Sequence, residues 1–236
     1  MRYRKIFILL SIITLTSCAE LQNVISTLPQ TGQNGDYIAS GLRQALDFGI
    51  DKQVNKLTQQ DGFYKNQLVK IFLPEELQKV DTALRGIGLG SLADEGIKAL
   101  NRAAEDAVKE ATPIFVGAVR DITFTDAKNI LLGPDNAATN YLEGRTNQAL
   151  YGKFNPVIKS SFAKVGADQI WENLIIKYNT IPFVSKVNPD LTDYVTQEAL
   201  KGVYTMIAVE EKKIRTDVSA RTTNLLRQVF ALQDNR

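Results

Sequence analysis

Two apolar patterns run along the chain. Near its start, Ile6 to Leu15 (IFILLSIITL) is an unbroken uncharged run. From about residue 36 onward, apolar residues instead recur every three or four positions with polar residues between them, the period of one helix face. Asp36 can cap a helix reaching about Leu57, with Ile38, Leu42, Leu46, Ile50 and Leu57 on one drifting stripe. A loop around Asp61-Gly62-Phe63-Tyr64 follows. Pro74 then stands at the first turn of a helix closed by the glycines of GIGLG. Ser91 with Asp94 is spaced like a capping box and opens a helix to about Ala111. Thr112-Pro113 and Thr123 with Asp126 mark two further starts, and Gly133-Pro134 breaks the chain. Asp135 caps a stretch to about Tyr151, Asn155-Pro156 marks a kink or a new start, and helical period continues to about Tyr178. A last pair covers roughly 191–216 and 219–232.

Two short runs, 68–73 (LVKIFL) and 113–119 (PIFVGAV), are compatible with buried strands as well as buried helix. Strand-turn-strand alternation is otherwise lacking. The pattern therefore predicts an all-α fold of about eight to ten helices, forming one domain over residues 36–236.

On a helical wheel, Leu191, Val195, Ala199, Val203, Met206, Ile207, Val209 and Ile214 form a wide apolar arc, as expected of a helix covered on most sides. Glu210 falls near the middle of that arc. A carboxylate there needs a partner, because burying it bare costs several kcal/mol. Arg221, at the edge of the Leu225/Val229 stripe, is the expected partner in a structural ion pair; a proton-transfer or binding role for Glu210 is the sharper alternative. In the NRAAED segment, Ile97, Leu100, Ala104, Ala107 and Ala111 make a buried seam flanked by Asn101. Arg102 and Asp106 point nearly opposite, as a solvated face or a surface binding site. Glu211 and Arg215, four residues apart, read as a helix-surface pair.

The first residues change the picture of where the domain works. Arg2, Arg4 and Lys5 precede the apolar run, which is about half the roughly twenty residues that span a bilayer. Leu15-Thr16-Ser17-Cys18 then follows. This order resembles a bacterial lipoprotein precursor, in which the cysteine receives diacylglycerol and the chain is cut before it. The resemblance implies a signal peptide over 1–17, lipid on Cys18 and a linker over 18–35. Two or three acyl chains give a near-permanent membrane anchor. Ala19 after the cysteine is similar to the default signal for the outer membrane, facing the periplasm.

Charge and residue types then exclude several chemistries. The chain has 28 basic and 26 acidic side chains. Loss of the leader's Arg2, Arg4 and Lys5 leaves 25 against 26, net −1, with no basic surplus for nucleic acid. There is no histidine, and Cys18 is the single cysteine. Ser-His-Asp and Cys-His nucleophiles, His/Cys zinc sites and thiol redox chemistry are thereby ruled out. No calcium-loop, phosphate-loop or dinucleotide motif is present, so no metal or cofactor is expected.

Many segments taken in order carry a wider resemblance: GLRQALDFGI (41–50), DGFYKNQLVKIFLPEEL (61–77), LNRAAEDA (100–107), PIFVGAVRDITFTDAKNILLG (113–133), DYVTQEALKGVYTMIAVEEKKIR (193–215) and RTTNLLRQVF (221–230). The chain resembles the domain of unknown function 4197, over roughly 36–230. That likeness implies a helical envelope protein, often a lipoprotein, and brings no activity and no catalytic residues. The leading expectation is a non-enzymatic domain that binds a partner protein or another envelope component. A carrier of an apolar small molecule or lipid is second, and a carboxylate-dependent hydrolase using Glu210 third.

Overall fold

The computed structural model describes residues 34–234, apart from 87, 89, 165–175, 177, 178, 180, 181, 184, 185 and 187–189. The leader, Cys18 and most of the linker lie outside the described residues, as does most of the stretch running to Tyr178. The elements are α1 (Asn34–Leu57), α2 (Glu75–Gly86), α3 (Gly90–Val108), α4 (Ala111–Arg120), α5 (Phe124–Leu131), α6 (Ala137–Ala163), α7 (Leu191–Thr216), a 3₁₀ turn (Val218–Ala220) and α8 (Asn224–Asp234). Among the described residues there is no strand, and the fold is all-α. Residues Ile38–Arg236 form one compact unit.

The central helix is α7. Leu191, Val195, Ala199, Val203, Met206, Ile207 and Ile214 are buried, as the wheel predicts. Val209 is the exception and stays 44% exposed. Helix α6 lies antiparallel along α7. Glu211 near the end of α7 meets Ala138 at the start of α6, Tyr204 meets Thr146, and Asp193 meets Tyr151. The buried face of α6 repeats every four residues: Ala138, Leu142, Thr146, Leu150, Phe154, Ile158 and Phe162. Pro156 does not end this helix. It removes the bond to the carbonyl of Gly152, which lies on the exposed face where water can replace it, while Phe154 and Ile158 hold the inner face.

The two ambiguous runs resolve differently. Residues 113–119 are helical, within α4. Residues 67–69 instead form a turn, with the Val69 and Lys70 N–H groups bonded to the Asn66 carbonyl, and 70–73 belong to no helix or strand; Val69, Ile71 and Leu73 are buried and Phe72 is outward. The turn before them starts at Asp61, which has φ +67°. Phe63, fully buried, then packs on the backbone of α7 at Gly202. A Cβ at Gly202 would stand 2.7 Å from the Phe63 ring, so only glycine admits this approach.

Thr123 and Asp126 make the capping box predicted for α5. The Thr123 hydroxyl accepts from the Asp126 N–H at 3.1 Å, and Asp126 accepts from the Thr123 N–H at 3.0 Å. The Thr123 hydroxyl also donates to Asp126, and these bonds hold its carboxyl below the ordinary carboxylate range. Thr123→Ala is expected to lower stability by about 1 kcal/mol. A urea midpoint shift at unchanged slope would register it; no shift would mean that packing alone fixes this helix start.

Candidate functional site

Three groups of polar side chains stand out, two buried and one open. The first lies where the end of α7 meets α1, α6 and α8. Glu210 is buried, as expected, but its partners are on α1. Lys52 Nζ lies 2.5 Å from Oε1, and Gln53 Nε2 donates to Oε2 at 2.8 Å. The expected Glu210–Arg221 pair is not made. Arg221 is also buried, and its guanidinium donates to the carbonyls of Ile214 (3.0 Å) and Arg215 (2.9 Å) and pairs with Asp234 (2.9 Å). The reason is the end of α7, whose last carbonyls lack helical donors and attract a cation. The hydrogen bond from Arg221 holds the Asp234 carboxyl below the usual range.

Glu211 and Arg215 are not a surface pair. Both are buried, and together they tie two facing helix termini. Glu211 accepts from the N–H groups of Ala138 (2.9 Å) and Thr139 (2.8 Å) and from the Thr139 hydroxyl (2.8 Å). It thereby caps α6, whose own Asn136 gives no side-chain cap. Arg215 pairs with Glu211 at 2.8 Å and donates to the carbonyls of Ile130 (2.8 Å) and Leu131 (3.1 Å) at the end of α5. An apolar cavity beside these charges, bounded by Leu42, Leu46, Ile50, Ile207 and Phe230, measures only about 20 Å³. That is room for about one water, against about 300–1,000 Å³ for ligand pockets.

The second group is on α3. Arg102 does not project freely into solvent. It bridges Asp61 (2.6 Å) and Glu105 (2.5 Å), and Glu105 also accepts from the Phe63 N–H at 3.1 Å. Asp61 is held below the ordinary range by its bond from Lys65, with the charges of Lys65 and Arg102 adding. Asp106 is exposed and pairs separately with Lys109 at 2.7 Å. Asn101, fully buried, accepts from the Ile71 N–H at 2.8 Å and donates to the carbonyls of Ile71 (2.8 Å) and Ile97 (2.7 Å). It stands where a neighbouring strand would.

The third group is open. A groove of about 480 Å³ runs between α6 and α7. Asn136, Asn140, Glu143 and Asn147 line one wall, and Gln197, Lys201 and Thr205 the other. The α6 residues repeat at four, three and four positions, so they climb one face of the helix. Tyr204 closes the floor. Its hydroxyl meets that of Thr146 at 2.8 Å, its ring meets Phe115 edge-on, and burial pushes the phenol up to about 12, keeping it neutral. The side chains of Glu143, Asn147 and Gln197 are exposed and make no side-chain hydrogen bond among the described residues, so they are open to the groove or water. The sequence carries this stripe openly, but any solvated helix face has the same pattern; the groove exists only once α7 lies beside α6. Among the described residues, no group of acidic side chains is arranged to hold a metal ion.

A family model described as a protein of unknown function, DUF4197, matches residues 32–231. The chain belongs to this family. The DUF4197 region takes in α1 to α7, the groove, Glu210, Glu211 and Arg221, and it begins well after Cys18. Membership therefore covers the helical domain and does not reach Cys18. Among curated proteins and among solved structures, nothing matches.

Proposed function

We propose that this DUF4197 protein is a lipid-tethered envelope protein whose helical domain is a non-enzymatic binding module, holding an envelope component on the periplasmic side. The observation that carries the reading is the division of its polar groups. The buried charges Glu210, Glu211, Arg215 and Arg221 are each engaged by structural partners. The open groove between α6 and α7 is instead lined by exposed polar side chains, of which Glu143, Asn147 and Gln197 make no side-chain hydrogen bond among the described residues. The Leu15-Thr16-Ser17-Cys18 sequence after a basic, apolar leader supports the tether. No described helix is long and apolar enough to cross a membrane, so an anchor at Cys18 would be what holds the domain there. The small size of the interior cavity gives no support to carriage of an apolar ligand within it.

Two measurements test the reading. The intact mass of the protein extracted from its host's membranes should equal the chain from Cys18 plus a diacylglyceryl group and any further acyl chain. Cys18→Ser should abolish that addition; an unmodified full-length mass would remove the tether. A photo-crosslinking residue at position 147, activated in intact envelopes, should capture an envelope component. Capture no greater than from a probe on the exposed face at position 159 would remove the binding role of the groove.

A further inference from the structure

We infer that the α6/α7 groove is a subsite for an uncharged, N-acetylated glycan strand. This rests on the reading of the domain as an envelope-binding module and names its ligand by chemistry. The groove wall offers carboxamides at Asn136, Asn140, Asn147 and Gln197, and every one of these side chains is exposed. A carboxamide carries a donor and an acceptor side by side. That pair matches the acetamido group of an N-acetylhexosamine, and it also matches two neighbouring sugar hydroxyls. Glu143 adds a pure acceptor for hydroxyl donors. Asn140 has a single side-chain bond within the chain, a long one to Asn136 at 3.3 Å, which a ligand can replace.

Other polymers fit less well. Glu143 and Glu198 set two negative charges against the single positive charge of Lys201, which itself lies 3.4 Å from Glu198. A phosphate-rich polymer would meet net repulsion there. A protein partner needs buried apolar anchors at the centre of its contact. Here the floor offers Leu200 and Tyr204, both already buried against the bundle, and Ala208. The repeat along α6 also suits a chain of rings. One turn of helix advances about 5.4 Å, so the stripe from Asn136 to Asn147 spans about 16 Å, a length that takes a short run of linked pyranose rings.

The test is titration of the full chain, in mild detergent, with a hexamer of N-acetylglucosamine. Saturable binding is expected. The double variant Asn140→Ala/Asn147→Ala, at two exposed positions, should weaken it about tenfold or more, the effect of losing two hydrogen bonds, with an unchanged thermal midpoint. A glucose hexamer should bind more weakly; equal binding would overturn the acetamido assignment. Full binding by the double variant would place the site elsewhere and overturn the inference. No saturable binding of the hexamer would overturn it as well. If the probe at position 147 still captured a protein in intact envelopes, the binding-module reading would stand while the glycan assignment fell. If neither hexamer nor crosslink appeared, both would fall.

Discussion

Glu211→Ala is expected to cost about 3–5 kcal/mol of stability, the range for breaking a buried ion pair from one side. The side chains of Glu211 and Arg215 are 5% and 1% exposed, so water cannot replace the lost contacts. Three donors at the start of α6 lose their acceptor together, and Arg215 keeps a buried charge with no carboxylate beside it. A domain of this kind has about 5–15 kcal/mol in all, so the variant should unfold at a much lower urea concentration. Arg215→Met alone should also destabilise, because the carbonyls of Ile130 and Leu131 lose their donors. The double variant should be less unstable than the two losses added, with a coupling of about 1–3 kcal/mol. Glu210→Gln makes the contrast. It keeps an acceptor for Gln53, and the Lys52 partner is 44% exposed and can turn to water. Its cost should fall well below that of Glu211→Ala. Equal costs would mean that helix capping adds nothing to the role of Glu211.

These two neighbouring acids also show what the sequence discloses. The wheel identified Glu210 as a buried carboxylate from its place in the apolar arc, and α7 spans Leu191–Thr216 as its pattern predicts. The partner was not legible. Glu210 faces α1, some 158 positions away in sequence, and nothing local in the chain indicates which helix lies against that face. Glu211 reads as a surface residue from its i,i+4 spacing to Arg215, because the Ala138 and Thr139 groups that bury it lie about 72 positions away in sequence. Side-chain periodicity carries no trace of the exposed N–H groups of α6 or the carbonyls of α5. The same blindness hid the role of Asn101, which was seen only to flank a seam. Local signals held in part: the Thr123–Asp126 box is formed as spaced and α1 ends at Leu57, but α1 begins at Asn34 ahead of Asp36, α3 begins at Gly90 ahead of Ser91, and the residue before α6 is Asn136 and not Asp135. Of the two readings of Pro156, the new start is not taken: the helix runs through it, because the packing of Phe154, Ile158 and Phe162 outweighs one missing bond on the wet side of α6.

Asn101→Ala should be the second costly change, at about 2–6 kcal/mol. The estimate follows from two backbone groups of Ile71 left without partners, at about 1–3 kcal/mol each when buried. Ile71 is 1% exposed and Asn101 is fully buried, so neither group can turn to solvent. The effect should also be local. Asn101, Arg102 and Glu105 together tie the connection between α1 and α2 to α3, through Ile71, Asp61 and the Phe63 N–H. Removing the first should loosen residues 66–73 before the bundle opens, while the Phe63 ring stays against Gly202. Hydrogen exchange should therefore accelerate in peptides covering 69–73 and remain near its original rate in α6 and α7. Asn101→Asp should not rescue the loss, since it keeps the acceptor for the Ile71 N–H but loses the donor to both carbonyls and places a charge in the seam. Unchanged exchange at Ile71, with a cost below about 1 kcal/mol, would show that Val69, Ile71 and Leu73 hold this segment by packing alone.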